Sequence, residues 1–212
     1  MTIEIKYATL GIAATNAYLV ADTKTNEAIL IDPVDRADLL KGMADESGWT
    51  IALILATHSH FDHVLASQAL KDLTGAPFWI SDEAADWLPG VPQTGMMFTG
   101  ERFPKPAEPD RLLTNEPETI IVGAITLETL YTPGHAPGHL AFYLRDHNLV
   151  FSGDALFAGS IGRTDLMGGD HALLLKSIRE KLLTLPDETQ VLSGHGAPTT
   201  IGRERATNPY LE

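Results

Sequence analysis

The segment formed by residues 58–63 constrains this chain more than any other. It reads His-x-His-x-Asp-His, which places three imidazoles and one carboxylate in six consecutive residues. It follows the apolar run 51–56, which predicts a buried strand. On a helix, His58 and His60 would lie on different faces, whereas a loop leaving a rigid strand can direct them to one point. The alternative, a polar turn with scattered histidines, is disfavoured because crowded, buried imidazoles are costly without a partner.

Three further segments repeat this arrangement of an apolar run, a glycine and a ligand-type side chain. The side chains are His135 in Pro-Gly-His, Asp154 in Ser-Gly-Asp, and His195 in Gly-His-Gly. The glycines permit tight turns where the predicted strands end. The repetition predicts one site assembled from several strand ends, and imidazole with carboxylate suits Zn(II), Fe(II) or Mn(II).

The order and spacing of these motifs resemble the metallo-β-lactamase-fold hydrolases. The resemblance runs from Asn-Ala-Tyr-Leu-Val at 16–20 and Ile-Asp-Pro at 31–33 to His195. Segments 132–139 and 153–165 are similar to the glyoxalase II group, in particular to its short bacterial members. Persulfide dioxygenases share much of the Gly-Arg-Thr-Asp stretch at 162–165.

The resemblance implies an α/β (α+β) chain folded as a four-layer αββα sandwich. We expect a single domain over residues 1–212, without the C-terminal helical domain by which larger glyoxalase II enzymes bind glutathione. The larger enzymes also carry a tyrosine after the residue matching Arg163, and this chain does not. Tight binding of glutathione is therefore not expected.

Composition favours a soluble cytoplasmic enzyme. A chain of 212 residues can bury a large core. Its formal charge of −13 argues against nucleic acid or an anionic membrane as a partner. There is no cysteine, and the first ten residues lack the apolar core of a signal peptide.

Local patterns predict helices at 35–46, 62–73 and 171–183. Ser81 is expected to cap a further short helix. Residues 88–117 are rich in proline and glycine, which predicts an extended loop. Two interpretations of this loop stay open: a surface connection, or a flap that uses Met96, Met97 and Phe98 against a substrate.

By resemblance, the site holds two divalent metal ions, with zinc as the first expectation and iron or manganese as alternatives. The first ion is held by His58, His60 and His135, and the second by Asp62, His63 and His195. Asp154 bridges the two ions. Asp62 is also the expected catalytic residue, orienting a metal-activated hydroxide. Arg163 is a candidate for binding a substrate carboxylate, with an ion pair to Asp165 as its alternative role.

These expectations predict a metal-dependent hydrolase of glyoxalase II type that cleaves S-(2-hydroxyacyl)glutathione-like thioesters. The partner is a small acyl-thioester, and the oligomeric state stays open. A thiolate leaves without a strong general acid, which suits a site lacking an obvious proton donor. The alternatives are a mononuclear iron persulfide dioxygenase, or a hydrolase of the same fold acting on another small ester or amide.

Overall fold

A computed structural model describes residues 3–211 of the chain. It divides into two compact units, one formed by residues up to 113 together with 121–125, the other by 114–120 and 126–211. Each unit is built around one six-stranded sheet. No helix among the described residues is long and apolar enough to cross a membrane.

The sheet of the first unit contains six strands in sequence order. They are β1 (Ile3–Leu10), β2 (Thr15–Asp22), β3 (Glu27–Ile31), β4 (Thr50–Leu55), β5 (Phe78–Ser81) and β6 (Arg111–Leu113). The first three run antiparallel to one another, and β3 to β6 are parallel. Parallel strands need crossover connections, and here helices supply them.

The helices of the first unit follow the parallel strands. They are α1 (Ala37–Glu46), α2 (Phe61–Val64), α3 (Ser67–Thr74), α4 (Asp82–Ala85) and α5 (Val91–Thr99). Leu40, Ile54 and Phe78 belong to the buried apolar cluster between these helices and the sheet. The burial of this apolar surface is the main term that stabilises the unit.

The second sheet has the strand order β14-β13-β10-β9-β8-β7. Its strands are β7 (Thr119–Val122), β8 (Ile125–Tyr131), β9 (Leu140–Leu144), β10 (Leu149–Gly153), β13 (Gln190–Ser193) and β14 (Thr199–Thr200), and β11 (Leu156–Phe157) and β12 (Ser160–Ile161) form a separate hairpin. The helices of this unit are α6 (His171–Ser177), continued by a π-helical segment (Ile178–Leu182), and α7 (Ile201–Thr207).

Both sheets bring functional side chains to the carboxyl ends of their strands. In the first unit β3 pairs in parallel with β4, with Ile31 opposite Leu55, so the residues that follow both strands emerge side by side. In the second unit β10 pairs in parallel with β13, with Gly153 opposite Ser193. Strand β8 runs in the same direction, because it is antiparallel to β9, which is itself antiparallel to β10.

The predicted helix at 62–73 and the predicted extended loop at 88–117 were each wrong over part of their length. The helix predicted at 62–73 is interrupted between Val64 and Ser67, where Ala66 N donates to Pro33 O across from β3. Segment 88–117 is not an extended loop throughout. It contains α5, which begins after Gly90 with a proline in its first turn and ends at Gly100 in the left-handed conformation.

The other local predictions agree with the structure. Ser81 caps α4, since its side chain accepts a hydrogen bond from Ala84 N. The helix expected at 35–46 begins two residues later, at Ala37, and ends at Glu46. The helix expected at 171–183 begins as an α-helix and becomes π-helical from Ile178.

Candidate metal centre

The motif at 58–63 forms a dense group of imidazoles in the first unit. His58 and His63 are completely buried, and His60 is partly exposed. The rings of His58 and His60 lie 4.6 Å apart, and those of His58 and His63 lie 4.2 Å apart. Candidate ligand atoms of His58 lie within 4.8 Å of those of His60 and of His63. The first unit therefore presents converging nitrogen donors directly after β4.

Asp32, at the end of the neighbouring strand, orients two of these rings. One carboxylate oxygen accepts from Thr57 N at 2.7 Å. The other oxygen accepts from the Thr57 hydroxyl at 3.0 Å and from His63 Nδ1 at 2.9 Å. Asp32 is buried and has a φ of 58°, a left-handed conformation that Asp tolerates better than most residues. This turn directs the carboxylate back across the parallel pair.

These hydrogen bonds fix which nitrogen of each ring carries a proton. Because Asp32 can only accept, His63 Nδ1 donates and its Nε2 carries the lone pair. The single hydroxyl proton of Thr57 goes to Asp32, so His58 Nδ1 donates to Thr57 Oγ1 at 2.9 Å. The His58 lone pair is then also on Nε2. Such contacts are typical of the groups that orient histidine ligands of metals.

Asp62 lies at the start of α2, in the first helical turn. Its Oδ2 accepts a hydrogen bond from the buried hydroxyl of Thr15 at 2.6 Å and lies 3.6 Å from His63 Nε2. The side chain of Asp62 is 13% exposed, so it can be reached from solvent. A carboxylate in this position can both bind a cation and accept a proton or a hydrogen bond from water.

The second unit collects three further candidate ligands around one oxygen atom. Asp154 Oδ2 lies 3.5 Å from His135 Nε2 and 3.3 Å from His195 Nε2. His135 Nδ1 donates to the backbone carbonyl of Arg163 at 2.7 Å, which leaves its lone pair on Nε2. His135 and Asp154 are buried, while the side chain of His195 is 29% exposed.

His139 has a supporting position. Its Nε2 accepts the backbone N–H of Asp154 at 3.0 Å, so its Nδ1 carries the proton and contacts Thr132 Oγ1 at 2.9 Å. The ring is completely buried. His139 therefore holds the backbone of Asp154.

The hairpin β11–β12 packs its backbone against two candidate ligands. A Cβ on Gly162 would clash with the carbonyl oxygen of Asp154 and would lie 3.0 Å from the His135 ring. Only glycine fits this close approach. Gly162 directly follows the hairpin, which ends at Ile161, and precedes Arg163, whose carbonyl holds His135.

Glu204, on α7, ties this hairpin to the C-terminal helix. The side chain is completely buried and accepts hydrogen bonds from Thr199 Oγ1 at 2.5 Å, Gly159 N at 2.8 Å and Asn208 Nδ2 at 2.8 Å. Asn208 Nδ2 also donates to Ser160 O at 3.0 Å. A buried carboxylate with three donors is well compensated for its desolvation.

The donor atoms fit a metal ion. In the first unit the lone pair of His63 Nε2 faces the Asp62 carboxylate, and in the second unit that of His135 Nε2 faces Asp154. Two electron-rich atoms at these distances repel each other unless a cation lies between them. The separations of 3.3–3.6 Å exceed the 2.7–2.9 Å of a charge-assisted hydrogen bond. A tetrahedral ion at its usual bond lengths would hold nitrogen and oxygen about 3.4 Å apart.

Arg163 forms an ion pair with Asp165. Its guanidinium donates two hydrogen bonds of 2.7 Å to that carboxylate, and both side chains are more than half exposed. The hydrogen bonds hold the pKa of Asp165 at about 2 and raise that of Arg163 above its ordinary value. This was the alternative role predicted for Arg163, and a substrate role stays a prediction.

The sequence interpretation missed three supporting residues: Thr15, Asp32 and Glu204. Asp32 lies in the Ile-Asp-Pro segment already noted for its resemblance, and an Asp directly after a predicted parallel strand could have indicated its role. Nothing in the local sequence around Thr15 or Glu204 indicates their contacts. All seven predicted ligands lie in the positions just described, and their assignment to one centre stays a prediction.

This chain is similar to known proteins over most of its length. The family model for the metallo-β-lactamase superfamily matches residues 10–195. A probable metallo-hydrolase of Bacillus subtilis is 41% identical over 95% of this chain and 94% of its own length. A hydroxyacylglutathione hydrolase of Haemophilus influenzae is 39% identical over 92% of both chains. The mitochondrial persulfide dioxygenase of Homo sapiens is 33% identical over 94% of this chain and 72% of its own.

Solved structures of related proteins have the same fold as this chain. The crystal structure of a B3 metallo-β-lactamase, BLEG-1, matches with a TM-score of 0.92 and 41% identity, covering 98% of this chain and 99% of that one. A protein crystallised in a di-iron-bound form matches with a TM-score of 0.88 and 40% identity, covering 97% and 100%. These matches confirm the predicted fold class and, at the coarser level, a metal-dependent hydrolase. The chain belongs to the metallo-β-lactamase superfamily.

Proposed function

We propose that this protein is a dinuclear metal-dependent thioesterase of glyoxalase II type. In this proposal His58, His60 and His135 hold one divalent ion, and Asp62, His63 and His195 hold a second. Asp154 bridges the ions. Zinc is the first candidate, and iron or manganese are alternatives because nitrogen and oxygen donors accept all three.

The observation that carries the proposal is the position of Asp154. A single carboxylate oxygen lies 3.5 Å from the Nε2 of His135 and 3.3 Å from that of His195. These are the two imidazoles of the second unit that the proposal assigns to different ions. One oxygen at ligand-to-ligand distance from both imidazoles can reach the ion that each of them is proposed to hold, which supports a bridging role.

The ions would supply a nucleophile by lowering the pKa of bound water from ~15.7 to ~7, and would polarise the acyl carbonyl. Asp62 orients the attacking water by accepting its hydrogen bond, while the Thr15 hydroxyl keeps that carboxylate in place at 2.6 Å. Oxygen from water bonds to the acyl carbon and the carbon–sulfur bond breaks. The products are a carboxylic acid, which ionises, and a thiol, which leaves as a thiolate.

The thioester substrate is supported by the 39% identical relative named as a hydroxyacylglutathione hydrolase. Two other activities are supported by other relatives. The 33% identical human protein is a persulfide dioxygenase, and BLEG-1 is a B3 metallo-β-lactamase. A mononuclear iron enzyme needs only two histidines and one carboxylate, so it leaves the intact set of Asp62, His63 and His195 without a use.

The test measures metal content per chain on freshly purified protein and then assays three reactions on the same sample. These are hydrolysis of S-D-lactoylglutathione, hydrolysis of nitrocefin, and oxygen uptake with glutathione persulfide. We expect two equivalents of metal and thioester hydrolysis as the fastest reaction. One equivalent of iron with oxygen uptake and no hydrolysis would refute the proposal in favour of the dioxygenase, and nitrocefin as the best substrate would favour a β-lactamase.

The bridging role has its own variant. Asp154→Ala is expected to lose metal and most turnover while its circular dichroism spectrum stays that of the wild type. Asp146→Ala is the matched control, since it removes an exposed carboxylate of the same unit that is not among the candidate ligands. An Asp154→Ala protein that keeps two ions and near-normal turnover would exclude the bridge.

A further inference from the structure

A pocket of the first unit lies directly beside Asp62. Its walls come from the turn between β1 and β2, the residues after β3, helix α2, and the segment after α5. Asp62 itself lines the pocket, as do its neighbour Phe61 and Leu65 of the same helical turn. A group that occupies the pocket is therefore in contact with Asp62, the residue whose carboxylate orients water in the proposed mechanism.

The pocket walls are mainly apolar and partly aromatic. Phe61 packs on Phe103 with ring centroids 5.8 Å apart and on Phe98 at 6.2 Å, both nearly parallel. A Cβ on Gly95 would clash with the Phe103 ring, so α5 packs directly against this wall. Ile12, at the tip of the β1–β2 turn, is 69% exposed. An exposed isoleucine that lines the same pocket as two phenylalanine rings favours an apolar ligand.

The only charged side chains among the described residues that line this pocket are acidic. Besides Asp62, they are Asp35 and Glu101, and no Lys or Arg is among them. The guanidinium of the adjacent Arg36 is engaged by Asp38 through two hydrogen bonds of 2.9 and 2.8 Å. The ion that Asp62 is proposed to hold would offset the charge of that residue, whereas no Lys or Arg of the lining offsets Asp35 and Glu101, which would repel a carboxylate bound beside them.

We infer that this pocket binds the acyl group of the thioester and selects acyl groups that are apolar and uncharged. The inference rests on the proposed function and adds its substrate class. It predicts that thioesters with an aliphatic or aryl acyl chain are better substrates than those with a carboxylate on that chain. Polar 2-hydroxyacyl groups are predicted to be intermediate.

The test keeps the thiol constant and varies the acyl group. Acetyl, butyryl, hexanoyl and succinyl thioesters of N-acetylcysteamine are assayed with the protein as purified. Each methylene group that enters the pocket is expected to raise kcat/KM about fourfold, the value that follows from burying one methylene. The succinyl thioester should have a lower kcat/KM than the butyryl thioester, whose four-carbon chain ends in a methyl group where the succinyl chain ends in the carboxylate.

Two variants link these preferences to the pocket. In Phe103→Ala, kcat/KM should depend less on the length of the acyl chain. In Glu101→Gln, the difference in kcat/KM between the succinyl and butyryl thioesters should be smaller than in wild type. Leu73→Ala and Glu46→Gln are the matched controls, since they alter an exposed leucine and an exposed glutamate of the same unit outside this pocket. Both controls should keep the wild-type preferences.

Binding gives a readout that does not require turnover. Ketone analogues, in which a methylene replaces the thioester sulfur, should bind more tightly as the acyl chain lengthens, as measured by calorimetry. This trend should weaken in Phe103→Ala, whose folding is checked by thermal unfolding. If Phe103→Ala does not fold, Glu101→Gln still tests the pocket, because it changes an exposed side chain and should reduce the discrimination against the succinyl group.

The outcomes separate this inference from the proposed function. If no thioester is hydrolysed but ketone binding follows chain length through Phe103, the proposed function fails and the pocket assignment stands. If thioesters are hydrolysed at rates independent of the acyl chain, the pocket assignment is wrong. It is equally wrong if both pocket variants keep the wild-type pattern.

Discussion

Replacing Asp32 with asparagine removes one negative charge while leaving the backbone of the turn undisturbed. Asp32 has a φ of 58°, and asparagine is the residue that tolerates this left-handed conformation best after glycine. The side chain keeps its shape, so any effect comes from the loss of an acceptor. The carboxylate accepts three hydrogen bonds, two from Thr57 and one from His63.

An amide cannot accept all three hydrogen bonds. If its oxygen takes the position near His63, its NH₂ group faces Thr57 N–H, and a buried donor without an acceptor costs about 1–3 kcal/mol. If the amide is reversed, NH₂ faces His63 Nδ1 and moves the proton to Nε2, which disables that nitrogen as a ligand. Loss of such orienting groups typically weakens metal binding by about 10–100-fold.

The weakening of metal binding in Asp32→Asn should differ between the two ions. His63 is proposed to hold the second ion, so the variant should release that ion at a lower chelator concentration than the ion assigned to His58, His60 and His135. The assay is competition with a chelator, followed by metal analysis at each chelator concentration. Thermal unfolding of the metal-free proteins measures the folding cost separately.

Asp22→Asn is the matched control. Asp22 is also buried in the first unit and accepts hydrogen bonds from the backbone of Lys24 and Ala124, but these partners include no histidine. It should lower stability and leave metal affinity unchanged. Equal affinities for both ions in Asp32→Asn and wild type would refute the orienting role. Equal weakening in both variants would show that the effect is general destabilisation.

Three further predictions concern other contacts. Glu204→Ala should destabilise the fold by about 1–3 kcal/mol in chemical denaturation, because it leaves buried donors without an acceptor. Gly162→Ala should lower metal content in chelator competition, because its Cβ would displace the backbone of Asp154. Asp110 has a pKa below its ordinary value, chiefly because Lys71 donates a hydrogen bond to it. Its contribution to stability is therefore present above the ordinary pKa of about 3.9 and is lost as the pH falls, so the Tm advantage of wild type over Asp110→Asn should shrink from pH 6 to pH 3.

Each of these predictions has a control. Glu204→Gln should keep more stability than Glu204→Ala, since an amide oxygen can accept two of the bonds and the Thr199 hydroxyl can turn to accept from its NH₂. Equal losses would contradict the hydrogen-bonding argument. Gly42→Ala adds a Cβ where nothing lies within 4 Å, so it should not affect metal content. A constant Tm difference between pH 6 and pH 3 would show that the Asp110 carboxylate is not the source.

The predicted strands were largely correct because their signals are local. Apolar runs that end at a glycine or a polar residue identified β4, β8, β10 and β13, and a ligand-type side chain follows each of them. The helix predicted at 62–73 was interrupted by a contact that periodicity does not encode, the hydrogen bond from Ala66 N to Pro33 O. Helix α5 was missed because proline and glycine, which predict loops, here begin and end a helix.

Residue type and spacing alone determined the metal-ligand candidates, since imidazoles and carboxylates after strand ends have few other uses. The superfamily followed from the order of those motifs, and the comparisons confirm it. Only the tertiary structure decided how the ligands are held. The parallel pairing of β3 and β4 brings Asp32 to Thr57 and His63, and the hairpin before Arg163 brings a carbonyl to His135. Such contacts join residues that lie 25–31 positions apart. The Ile-Asp-Pro segment could have indicated Asp32 as a supporting residue, but no local pattern identifies the partners of these hydrogen bonds, because they are formed only when distant segments pack together.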